Sequence, residues 1–109
     1  MLRSLCLTRQ CLGLMTRIEC AIRPLSGDNG MWTLLFAAGM SGSQPSAIKV
    51  QGPFHGSLAA ESVMMAIAES LALQGYQVSD DIPIWSVHLQ GELRRLNGDA
   101  TQPRKTSPF

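Results

Sequence analysis

Charge is what this chain has least of. Asp, Glu, Lys and Arg make up 16% of its 109 residues, where a globular protein carries about a quarter. Nine basic and eight acidic residues leave a net charge of +1 with the histidines neutral. That balance supplies no basic face for direct contact with nucleic acid, which needs a clear excess of Lys and Arg. No run approaches the ~20 apolar residues of a membrane span. Cysteine is confined to Cys6, Cys11 and Cys20, an odd number without Cys-x-x-Cys spacing. Such spacing argues against a disulfide framework and against a zinc site. Reduced thiols in a cytoplasmic protein are expected, with Cys20 as a core filler. No catalytic signature is present, and neither metal nor cofactor is expected.

What the chain does have is a helix with too little polar surface, SLAAESVMMAIAESLALQG, from Ser57 to Gly75. Ser57 has the hydroxyl of an N-cap, and Gly75 can enter the left-handed conformation that closes a helix. Ala60, Val63, Met64, Ile67 and Leu71 recur at i, i+3 and i+4 and make one apolar stripe. The opposite side carries Leu58, Met65, Ala66, Ala72 and Leu73 beside Glu61, Ser62 and Glu69. A helix apolar nearly all round is normally covered on both sides. The reading is therefore that a second chain covers the outer side, and the flexible Met65 suits a surface that re-packs against a partner.

The remaining segments read mainly as strands. Arg17 to Arg23 alternates, with Ile18, Cys20 and Ile22 inward and Arg17, Glu19, Ala21 and Arg23 outward. Ser26-Gly27-Asp28-Asn29-Gly30 is dense turn chemistry. Met31 to Ala38 is apolar on both faces and pairs with the preceding strand as a hairpin. Ala47 to Gln51 is a short strand ahead of the helix, and Gln77 to Pro83 is a loop. Ile84 to Leu93 reads as a last strand, with Trp85, Val87, Leu89 and Leu93 on one face. The expected architecture is α+β in two layers, one helix on a mainly antiparallel four-stranded sheet in the order β-β-β-α-β. Residues 1–14, which carry Arg3 and Arg9 but no acid, read as an extra N-terminal segment outside the fold, either disordered or upstream of a start at Met15. Residues 15–96 form the domain. Residues 97–109 turn to Gly, Pro, Ser, Arg and Lys and read as a disordered tail.

Candidate chemistry is thin. His55 lies in a glycine-flanked turn before the helix N-terminus, where backbone N–H groups favour anions. A small ligand-binding or enzymatic site there is the alternative reading. The plainer one is that Gly52 and Gly56 shape the turn. His88 falls on the polar side of the last strand. Asp80 and Asp81 are adjacent, point apart and serve to solvate a loop. The aromatic residues lack the neighbouring cations of a base-stacking platform.

The domain, above all GPFHGSLAAESVMMAIAESLALQGY, resembles the small bacterial quorum-sensing anti-activators: short, motif-poor and built on one helix beside a sheet. The resemblance implies a homodimer that binds a LuxR-type transcription factor and blocks its dimerisation and its binding to DNA. The interface residues come from the patterning instead. Leu58, Met65 and Leu73 lie on the outer helix side, and Trp32, Leu34 and Phe36 on the sheet face left open by a single helix.

Overall fold

The structure, a computed structural model, describes residues 3–26 and 30–101. Strands β1 (Ser4–Cys11), β2 (Leu14–Pro24), β3 (Met31–Met40) and β4 (Ala47–His55) precede helix α1 (Ser57–Leu73). A short β5 (Gln77–Val78) and helix α2 (Ser86–Thr101) follow. All strand pairs are antiparallel, in the spatial order β4-β3-β2-β1-β5. The α+β class, the β2–β3 hairpin and the first helix agree with the sequence reading. Among the described residues, five strands and two helices replace the expected four and one.

Two segments account for the difference. Ser4–Cys11 is not an appendage: it pairs with β2 along its whole length, from Ser4 opposite Ala21 to Cys11 opposite Leu14. Its Leu7 is buried under α1. The turn at Leu12-Gly13 has positive φ at both residues, as a two-residue hairpin requires. The second segment, Ile84–Leu93, is helical from Ser86 on. Trp85, Leu89, Leu93 and Leu96 follow one another at four, four and three residues and pack together on the sheet. Val87, which the alternation would place beside them, is 77% exposed. The helix also runs past residue 97, so the expected boundary there does not hold. Residues 27–29 of the turn and 102–109 of the tail, with Arg104 and Lys105, lie outside the described residues.

The sheet is therefore covered on both faces. Leu7, Cys20, Ile22 and Leu34 pack with Ala60, Met64 and Ala68 of α1. Ala21, Leu35 and Ala37 pack with Trp85, just ahead of α2, and Leu89 of α2. Adjacent residues of β3 thus enter different cores, which is why MWTLLFAA is apolar at every position but one. Each fully buried Ile, Leu or Met side chain in these layers contributes about 1.5–3 kcal/mol.

The predicted stripe of α1 is the stripe that packs, with Val63, Ile67 and Leu71 flanking its buried centre. At its start, Gly56 is the N-cap, with φ of 97° and no side-chain cap; Ser57 is already helical. At its end, Tyr76 N–H donates to the Leu71 carbonyl (3.1 Å) and Gly75 N–H to the Ala72 carbonyl (3.1 Å). With Gly75 at φ 98°, this is a Schellman closure.

Candidate functional site

The most concentrated polar chemistry of the described residues is buried between the sheet and α2. Arg17 and Glu19, two apart on β2, share the α2 face and are 5% and 3% exposed. Their alternation with Ile18 and Cys20 suggested a solvated face; the structure corrects this. Arg17 Nη1 donates to Glu19 Oε2 (3.2 Å) and to Cys6 Sγ (3.0 Å). Its Nε donates to Ser41 Oγ and its Nη2 to Asp81 Oδ2, both at 3.3 Å. Asp81 therefore anchors the β5–α2 connection and does not merely solvate it. Asp80 is exposed.

Glu19 does the second half of the docking. The Ile84 amide donates to Oε2 (2.8 Å) and the Trp85 amide to Oε1 (3.0 Å). These are the amides just ahead of α2, so a carboxylate from a strand caps a helix far away in sequence. The negative charge also sits at the positive end of the helix dipole. Trp85 Nε1 completes the attachment by donating to the Ser43 carbonyl at 2.8 Å. Every strong group in the cluster is engaged in holding α2 on the sheet.

Beside this cluster lies a cavity of about 330 Å³ between β1, β2, the β5–α2 connection and α2. Small residues at its floor, Ser4, Cys6 and Ala21, leave the space; Leu89 and Leu93 wall it. Its volume is at the low end for a ligand pocket. Burial pushes the Cys6 thiol up, against the lowering effect of Arg17. Cys20, more deeply desolvated, is pushed up to about 12. Neither is a thiolate at neutral pH, so neither is an activated nucleophile. Cys11 is exposed. Among the described residues no group of three or more His, Cys, Asp and Glu could hold a metal ion.

The sequence-predicted surface residues divide in two. Leu58, Met65 and Leu73 lie on the outer side of α1, at 72%, 41% and 91% exposure. Ala66 and Ala72 lie exposed beside them. Trp32, Leu34 and Phe36 are not on an open face. Leu34 is fully buried, and Trp32 and Phe36 pack around the same core under α1. Their expected partner surface is the inner side of α1. The other face of β3 is covered by α2, so β3 needs no second chain over it.

His55 ends β4 in an exposed position and lines neither of the two described cavities. His88 sits on α2, partly buried, with Nδ1 enclosed and without a hydrogen-bond partner. Sequence reasoning missed Arg17 and Glu19 because a charge alternating with apolar residues signals solvent on one face. No described helix is long and apolar enough to cross a membrane. Searches of curated proteins and of solved structures returned no match. A family model does match, over residues 1–109, and the chain belongs to the PA4575-like protein family.

Proposed function

We propose that this protein is a non-enzymatic, homodimeric regulatory module that acts by presenting the outer side of α1 to a protein partner. The observation that carries the reading is the apolar outer side itself. Leu58, Met65 and Leu73 stand at 72%, 41% and 91% exposure on a helix whose inner stripe is already satisfied. Side chains of this size on the solvent side cost solubility and add nothing to the monomer's core. Flexible methionine among small residues is a surface able to re-pack against a partner. The polar cluster supports the same conclusion, because its groups fasten α2 and leave none set up as nucleophile and base.

The partner class comes from the resemblance alone: a LuxR-type transcription factor, held so that it cannot dimerise or bind DNA. The same reading implies a cytoplasmic location, where such a factor works. The test is a gel-shift titration with a purified LuxR-type factor and its target duplex. Wild-type protein should release the duplex, and Met65→Glu and Leu73→Glu should not, because each would bury an unpaired charge in the complex. Both variants should keep their thermal unfolding midpoint, since exposed substitutions usually change stability by within about 0.5 kcal/mol. A duplex that stays bound at every concentration of wild-type protein removes the proposed partner. Variants as effective as wild type remove the α1 face.

A further inference from the structure

The sheet is open at one long edge. β4 ends the strand order, and from Ala47 to Gln51 all its residues are exposed. At the opposite end, the two-residue β5 pairs with β1 at Leu7 and Thr8. Long regular edges in monomers are usually broken by prolines, bulges or charges. In β4 the bulge, opposite Trp32 and Leu34, and Pro53 lie in the second half, and Lys49 is the one charge in the first. Ala47 to Gln51 stays in uninterrupted register with β3, from Ala47 opposite Ala38 to Gln51 opposite Leu34. On this run Ile48 and Val50 pair with Ala37 and Leu35, so they share the face covered by α2. Yet α2 does not reach them: they are 37% and 36% exposed and belong to neither core.

We infer that a second copy of this chain occupies the edge, its β4 pairing antiparallel with this one to continue the sheet. The inference rests on the homodimer of the proposed function and names its seam. A two-fold axis perpendicular to the sheet must keep equivalent faces together, so it has to pass through a residue. Placed at Lys49, the axis pairs the whole regular run with itself. Ile48 then meets Val50 twice, and Ala47 meets Gln51 twice. Placed at Ile48 or Val50, it loses the Ile–Val pairs and runs into Pro45 or Pro53. β-Branched cross-strand pairs are favourable, and like charges directly opposite are not. The Lys49 register therefore gains two apolar pairs against one repulsion between long, solvated side chains. That balance makes a distinct signature: a dimer tightened by salt and by removal of its own lysine.

Sedimentation equilibrium on the intact chain tests the seam. Ile48→Lys with Val50→Lys should weaken dimerisation about ten-fold or more, and Lys49→Thr should tighten it about two- to three-fold. Raising salt from about 50 to about 500 mM should tighten the wild-type dimer by screening the lysines. In a Cys11→Ser background, Lys49→Cys should oxidise to a covalent dimer, while Ile48→Cys, whose two copies are diagonal, should not. Unchanged thermal unfolding of each variant shows that the edge alone was altered. A dimer that survives Ile48→Lys/Val50→Lys but dissociates on Met65→Glu overturns the edge and leaves self-association standing. A wild-type monomer at about 100 μM, where a Kd of about 10 μM would leave most chains paired, overturns both. Covalent capture through Ile48→Cys but not Lys49→Cys overturns the register.

Discussion

Removing the Glu19 carboxylate should detach α2 more than any other part of the molecule. In Glu19→Ala the amides of Ile84 and Trp85 lose acceptors at 2.8 and 3.0 Å. Loss of a helix-capping oxygen costs about 0.5–2 kcal/mol. The guanidinium of Arg17, 5% exposed, is left without its buried counter-charge. Breaking a buried pair costs about 3–5 kcal/mol when the remaining charge has no other partner. Here Asp81 stays at 3.3 Å, but its side chain is 60% exposed, so it compensates only partly. The combined loss should be about 3 kcal/mol, a large share of the ~5–15 kcal/mol that holds a domain. At a urea m-value of about 1.5 kcal/mol/M, that moves the midpoint by about 2 M. Amide exchange should show where the loss falls, with α2 losing protection at lower denaturant than α1. Glu19→Gln keeps one acceptor and should lose about half as much. Arg17→Met with Glu19→Leu should recover part of the loss by removing both charges. A loss under about 1 kcal/mol in Glu19→Ala, or equal loss of protection in both helices, would refute the anchoring role.

Other consequences follow from the same geometry. Gly75→Ala should destabilise by about 1 kcal/mol, because alanine must adopt a left-handed φ and its Cβ meets Arg9 Cδ at 3.3 Å; urea unfolding checks it. A thiol reagent at pH 8 should modify exposed Cys11 quickly and buried Cys6 and Cys20 only on unfolding, with one label per chain by mass. Burial raises the Cys20 pKa in the fold from 9.0 to about 12. The folded state therefore binds its proton more tightly, and the stabilisation is full below 9.0 and lost as pH rises toward 12. Cys20→Ala should flatten that part of the stability–pH curve.

How much of this could be read from the residues depends on how local each cause is. The α1 stripe, its Gly75 stop and the β2–β3 hairpin are set by neighbours within a few positions, and all are found where the patterning puts them. The Ser4–Cys11 strand was within reach: Leu5 and Leu7 alternate with Cys6 and Thr8, and Leu12-Gly13 is a turn. Arg3 and Arg9, with no acid among residues 1–14, disguised it as an appendage. In α2 two periods compete. Ile84, Ser86 and His88 alternate with Trp85, Val87 and Leu89 as in a strand, while Trp85, Leu89, Leu93 and Leu96 repeat as in a helix. Trp85 at 1% exposure, beside a Val87 left in solvent, settles it. The anchor at Arg17 and Glu19 has no local signal at all. Its partners ahead of α2 lie 64 to 66 residues away, so two charges on a strand could be assigned to the interior only once the fold had brought α2 over them. Patterning assigns Trp32, Leu34 and Phe36 to the wrong face of β3: they lie under α1, and the face expected to be open, that of Leu35 and Ala37, is the one α2 covers.

The central claim is that the outer side of α1 is a binding surface for a protein, and one titration addresses it directly. Exposed Cys11, at the β1–β2 hairpin, accepts a fluorophore. Anisotropy of the labelled protein is followed as a LuxR-type transcription factor is added. The account predicts a saturable rise, with Met65→Glu or Leu73→Glu shifting the midpoint at least about ten-fold higher at unchanged unfolding temperature. A flat trace with wild-type protein, or superimposable curves for wild type and both variants, would contradict it.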